Sequence, residues 1–449
     1  MNDDRRPPEP SPSPARLEDD PERTEPAGRS DAASRPAAPS ELFADANFLR
    51  YLAGGFLVQL GAQVQSVAVA WEVYERTRST IALGLVGLFQ VVPVLLLAIP
   101  FGHLSDRHDR KRLYLISNGI LLASAAGLAA ASARGWPVRA TYAFLVLTGV
   151  GQALSRPVRW ALQPSIVPKR LLLRAITWNS SVVQTALVSG PALGGLIMAF
   201  SHRATECYAF NAAALVCVLV LNAGLRVRPT ERDSSPVTLA SLMAGLRFVF
   251  GTELLVASMT LDLIAVLLGG ATALLPIYAR DILHVGPGGL GWLRSAPALG
   301  SLATALVLTR IGPLRRTGPI LLGAVAGFGL ATVVFGLSRD FHLSLSCLIL
   351  AGAFDNISVV VRSTLTQMLT PDSMRGRVSA VNLIFISSSN ELGEFESGLL
   401  ARAAGAAGAV VIGGLGAIAT AIAVAAWWPA LRRLGPLTEL QPAETPTSS

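Results

Sequence analysis

Charge is what this sequence has little of. Only 15% of its 449 residues are Asp, Glu, Lys or Arg, where a soluble chain usually carries about 25%. Lysine is almost missing: Lys111 and Lys169 are the two present, so the net charge of +8 rests on arginine. Aromatics make up 6%, and the three cysteines, Cys207, Cys217 and Cys347, all sit in apolar runs. Three cysteines so placed form neither a disulfide framework nor a metal cluster. There is no H-E-x-x-H segment, and neither lysine follows a phosphate-loop glycine. Enzymes built on those elements are excluded, no cofactor is implied, and the chain reads as a non-enzyme. What is present in quantity is apolar: 51% hydrophobic residues, with 41 glycines. A bilayer core penalises exposed charge by several kcal/mol, and small residues let membrane helices pack closely. The composition therefore points to an all-α membrane protein.

A span needs about 20 mostly apolar residues. Uncharged stretches at 51–71, 81–102, 113–133, 175–201, 317–338 and 403–430 meet this directly. Shorter or interrupted ones lie at 140–155, 207–225, 254–279, 295–309, 342–361 and 378–400. Twelve spans are expected. The basic residues then fix orientation. With the N-terminus inside, segments 103–112, 156–174, 226–247, 310–316 and 362–377, with Arg432 and Arg433, hold 21 Lys and Arg, against 8 on the opposite side. Positive loops remain cytoplasmic, so both termini are expected inside a bacterial-type cytoplasmic membrane. The basic residues fall between apolar runs, a pattern for anionic lipid and not for nucleic acid. Residues 1–40 are rich in Pro, Ser and charge and read as a disordered cytoplasmic tail. Six-helix bundles are expected over 45–226 and 251–432, with a linker at 227–250 and a tail at 433–449.

The two halves repeat. A shift of 203 residues places Gly149 on Gly352, Arg159 on Arg362, Pro168 on Pro371, Arg174 on Arg377, Asn179 on Asn382, Gly190 on Gly393 and Gly195 on Gly398. An even number of spans per half makes the repeat parallel, with substrate sites near the midplane between the halves.

The segment after the second span reads Gly102-His-Leu-Ser-Asp106-Arg107-His-Asp109-Arg110-Lys-Arg112. It resembles the signature loop of the major facilitator superfamily, G-x-x-x-D-R-x-G-R-R. The resemblance implies that Asp106 contacts basic residues near span four and the start of span eleven, latching the outward-facing state; a plainly topogenic basic loop is the other reading. Gly102 would let helices approach. Asp109 stands where the motif has its second Gly, a position where a left-handed turn is tolerable for Asp. In span five, Gly190-Pro191-Ala-Leu-Gly194-Gly195 resembles the motif of antiporters, with Ala186 in place of its first Gly. Ordinary helix packing would use the same residues. The arginine that drug–proton antiporters carry early in span four is missing. Further text, such as Trp71-Glu72-Val73-Tyr74-Glu75-Arg76 and Leu275-Pro276-Ile-Tyr278-Ala-Arg280-Asp281, is similar to the transmembrane-secretion-effector branch, which includes enterobactin-exporter-like and macrolide-efflux-like proteins. The resemblance covers about residues 42–430.

Charges at membrane depth are functional by default. Asp262, Arg294 and Asp355 interrupt apolar runs, and Glu391 and Glu394, three apart, share a helix face. Ionising both in a low dielectric is unfavourable, so one of them is expected to carry a proton during transport; a structural pairing with Arg294 or other arginines is the alternative. Asp262 could equally sit at headgroup level. Gln59 and Gln63 share a face of span one. With Gln152, Asn179, Gln184, Arg294 and Asn356 they could line a polar cavity or bond helix to helix. The reading is a monomeric, proton-driven exporter of a hydrophobic or amphipathic small molecule. Uptake by the same fold and a non-transporting membrane factor are its rivals.

Overall fold

The computed structural model describes residues 39–227, 239–311, 315–371 and 374–437. The expected N-terminal tail up to residue 38, and the C-terminal one from residue 438, lie outside them. Among the described residues the chain is helical with no strand. In lipid a helix satisfies its own backbone hydrogen bonds, which is why it is the element an apolar run adopts.

The first half runs α1 Ala46–Thr77, α2 Thr80–Arg107, α3 Arg110–Ala133, α4 Val138–Ile166, α5 Leu172–Ser201 and α6 Thr205–Ala223. In the second half α7 begins as Glu253–Leu268 and continues through short irregular turns to Ile282, with one π-helical turn over Tyr278–Ile282. Then come α8 Gly286–Ile311, α9 Thr317–Leu337 and α10 Phe341–Leu369. The last helical run, Arg375–Trp427, breaks at Gly405, whose φ of 76° suits glycine, and so forms α11 over 375–404 and α12 over 406–427. Nine helices among the described residues are long and apolar enough to cross a membrane. With α4, α8 and α11, which carry charge inside the run, they form the expected two sets of six.

Two expectations need correction. Helices α4 and α10 outrun their apolar stretches, so Arg156, Arg159 and Arg362, counted above among loop residues, lie inside helices. A hydropathy run ends at the first charge, whereas a helix continues where an ion pair or a polar cavity receives that charge. The stretch taken as a linker also contains a helix, Leu239–Gly251, whose Gly245 lies against the Arg377 backbone of α11.

Packing repeats as the sequence does. Helix α1 packs on α5 and α6, α2 on α4, and α3 on α4 and α6; α7 packs on α11 and α12, α8 on α10, and α9 on α10 and α12. Between halves, α5 meets α8 and α2 meets α11. The glycines matched by the 203-residue shift occupy equivalent places. A Cβ on Gly195 would stand 2.8 Å from Cα of Gly291 on α8, and one on Gly398 would stand 3.2 Å from Cα of Gly84 on α2.

The apolar core has three parts. One crosses between halves, joining Val64, Val73 and Leu128 to Leu274, Tyr278, Leu293 and Ala401. It lies toward the face of the α1–α2 turn. A second belongs to the first half alone (Phe48, Tyr114, Leu162) and a third to the second half alone (Phe248, Leu365, Val424). Both lie toward the face of the α2–α3 turn, called here the basic face. The halves thus share a core on one side and keep separate cores on the other.

Candidate transport site

On the face opposite the basic one, charged side chains tie the halves together. Asp281, at the end of α7, accepts from the Tyr74 hydroxyl and from Arg78 at 3.2 Å. Arg280 pairs with Glu75 at 3.2 Å and lies 5.7 Å from the Trp71 ring centroid. Glu72 is held inside the first half by Tyr208 at 2.8 Å and Arg76 at 3.2 Å. No role was read for these residues in the sequence. A signal was there: Arg78 and Asp281 are 203 apart, and repeat-equivalent positions meet where a pseudo-twofold axis passes between them.

Below the tie, the first half encloses a cavity of about 300 Å³. Its wall includes Gln59, Gln63, Gln65, Gln90, Gln152 and Asn211, together with Arg156 and Arg159. Asn211 donates to Gln65 at 2.7 Å, and Arg156 donates to Gln152 at 3.3 Å. Arg159 donates to Asn179 at 2.9 Å. Gln59, Gln63 and Gln152 line this cavity, while Asn179 lies behind it as the partner of Arg159. Gln184 instead bonds the Ala298 carbonyl across the halves at 3.2 Å, so this amide links helices. Asn356 lies on α10, away from this cavity.

A smaller chamber, about 100 Å³, lies between the halves and shares Ser66 and Gln90 with the cavity wall. Arg294 of α8 and Glu394 of α11 both line it. Arg294 donates to the Ser66 carbonyl and hydroxyl of α1, each at 2.9 Å, and shares the chamber with Glu394. The side chain of Glu391 lies outside the described residues, as do those of Asp106 and Arg107.

Asp262 forms an ion pair with Arg362 of α10, both buried. The carboxylate lies inside the bundle, where a guanidinium 100 residues away meets it. Asp355 lines the same small space, about 10 Å³.

The signature turn departs from expectation in two places. Asp109 has a φ of −62° and caps α3, accepting from the Arg112 amide at 2.9 Å. An N-cap carboxylate holds the turn in extended geometry, so no left-handed residue is required. No described atom lies within 4 Å of where a Cβ on Gly102 would stand, so the close helix approach expected there is not made in this conformation. Arg110 donates to the Ala161 carbonyl at 3.1 Å; Arg112 is exposed. In α5 the glycines divide by face: Gly190 and Gly194 lie against Leu60, Gln63 and Val64 of α1, while Gly195 and the Pro191 carbonyl meet Gly291 of α8.

Residues 43–434 match the profile of the family described as transmembrane secretion effector. The enterobactin exporter EntS of Citrobacter koseri is 28% identical over 370 residues, covering 82% of this chain and 84% of that protein. The EntS of Shigella dysenteriae is 27% identical over the same shares. Among solved structures, a bacterial homologue of the human lysosomal transporter Spinster, inward-facing and unoccupied, superposes with a TM-score of 0.65 at 16% identity, over 86% of this chain and 97% of that one. A D-xylose–proton symporter gives 0.64 at 14% identity, over 88% and 99%.

Proposed function

The chain belongs to the transmembrane secretion effector family of major facilitator transporters, and we propose that it is a proton-coupled exporter of a hydrophobic or amphipathic small molecule, in an inward-open state. One observation carries this reading. The halves share a core and charged ties on one face and keep separate cores on the other; below the ties lie a first-half cavity of about 300 Å³ and, between the halves, a chamber of about 100 Å³. With the basic face taken as cytoplasmic, solute enters from the cytoplasm and leaves when the ties part. Both termini are then cytoplasmic. The relatives described as enterobactin exporters favour export over uptake and favour a siderophore, drug or secondary metabolite.

Glu394 is the group we assign to the proton. Arg294 is shared between Ser66 on α1 and the field of Glu394 on α11. A proton on Glu394 cancels its pull on Arg294, so proton occupancy changes which half holds the guanidinium. The signature turn completes the cycle: with the basic face closed, Gly102 and Asp106 would meet α11. A compound panel in an efflux-deficient host, with a protonophore control, identifies a substrate. Proteoliposome flux then tests the coupling. Glu394→Gln mimics the protonated acid and should retain exchange while losing accumulation driven by a pH gradient. Gradient-driven accumulation retained by a Glu391→Gln, Glu394→Gln double variant would exclude these glutamates.

A further inference from the structure

The 203-residue repeat relates more than helices: it relates two cavities. Gln59 corresponds to Asp262, Gln152 to Asp355, Ser155 to Ser358 and Leu121 to Ala324, and these residues line the first-half cavity and the small second-half space respectively. Arg159 corresponds to Arg362. The two copies have diverged in charge. In the second half Asp262 sits on Arg362, and the remaining space is about 10 Å³. In the first half both positions are glutamines, the space is about 300 Å³, and no carboxylate lines it among the described residues. Among the described residues the side-chain partners of Arg159 are neutral, Asn179 and the Tyr51 hydroxyl, and Arg156 bonds Gln152. Two guanidiniums facing a polar cavity with no counter-charge among the described residues form a site short of an anion. The second half displays, within one chain, what such a guanidinium pairs with.

We propose that the first-half cavity recognises an anionic oxygen group of the substrate, a carboxylate or equivalent oxyanion, held by Arg159 and Arg156 in the place that the Asp262 carboxylate takes in the other half. The amides around it contribute further donors, with Gln59 and Gln152 standing where the carboxylates would block entry. This rests on reading the cavity as the substrate site, and its test measures binding alone, so it stands apart from whether flux is proton-driven or outward.

The probes are biphenylcarboxylate and biphenylcarboxamide, alike in size and differing in charge. Binding to the full-length protein in detergent is followed by ligand-observed NMR at low and high salt. A guanidinium–carboxylate contact is stronger than a neutral one, so the carboxylate should bind about tenfold more tightly than the amide, and added salt should narrow the gap. Gln59→Asp installs the carboxylate of the second half and should abolish the preference, whereas Gln59→Asn should keep it. Arg156 is exposed, so Arg156→Gln gives a folded protein even if Gln59→Asp does not, and it should shrink the preference several-fold. Equal binding of the two probes to the unaltered protein would overturn the proposal. So would a preference that survives both Gln59→Asp and Arg156→Gln in folded protein.

Discussion

Asp262 and Arg362 illustrate what a charge requires inside a helical bundle. Both are buried, at 8% and 4% exposure. Removing one partner of such a pair leaves the other charge uncompensated, at a cost of about 3–5 kcal/mol. Asp262→Asn and Arg362→Gln should therefore each lower the thermal unfolding temperature of the purified protein substantially. The double variant should lose clearly less than the sum, because neither charge is then stranded. Additive losses would mean that the two side chains contribute separately. From the sequence, Asp262 was visible as an anomaly in an apolar run, but Arg362 was counted in a loop and the pairing was not visible. Helix periodicity gives the face of a side chain on its own helix and says nothing of which helix lies opposite. The partner was nonetheless indirectly encoded, since Gln59 and Arg159 stand at the same separation in the first half. Glu391 and Glu394 were legible as a shared face, with Arg294 among the arginines that could pair with them; that Glu394 and Arg294 line one chamber depends on α8 and α11 converging between the halves.

At the scale of elements, small residues decide where helices touch. Gly195 of α5 and Gly291 of α8 put backbone against backbone, a contact that substitutes for the hydrophobic drive missing in lipid. Gly195→Val should prise α5 from α8 on the side opposite the basic face. A cysteine at Ser66, behind that contact, should then react several-fold faster with an impermeant maleimide added from that side. Membrane insertion should be unchanged, since the span remains apolar. Gly323 has open space around it, so Gly323→Val should leave labelling at the unaltered rate. If Gly195→Val also leaves it there, the α5–α8 contact does not seal this face. Twelve spans were legible because nearly every one is an apolar run. Their ends were not, because α4 and α10 run on past charges that hydropathy counts as breaks: Arg159 lines the cavity and Arg362 pairs with Asp262.

At the scale of the whole molecule, the repeat explains both the likeness of the halves and the points where they part. Equivalent helices pack alike, equivalent glycines sit at the inter-half contacts, and Arg78 meets Asp281 across the pseudo-twofold. The two cavities have diverged, one holding an ion pair and nearly closed, the other larger and lined by two arginines. Alternating access requires the tie between Tyr74, Arg78 and Asp281 to break in every cycle. Half-exposed ion pairs contribute only about 0–1 kcal/mol each, a magnitude that suits a contact made to open. The central claim is that the halves separate at this tie during transport, and a tether across it tests this most directly. Arg78→Cys and Asp281→Cys are combined in a chain whose Cys207, Cys217 and Cys347 have been replaced by Ala, and the pair is joined by a short thiol-cleavable linker. Substrate flux in proteoliposomes should fall to background when the linker is in place and return on adding reductant, while binding from the basic side persists throughout. Undiminished flux with the linker intact would contradict the account.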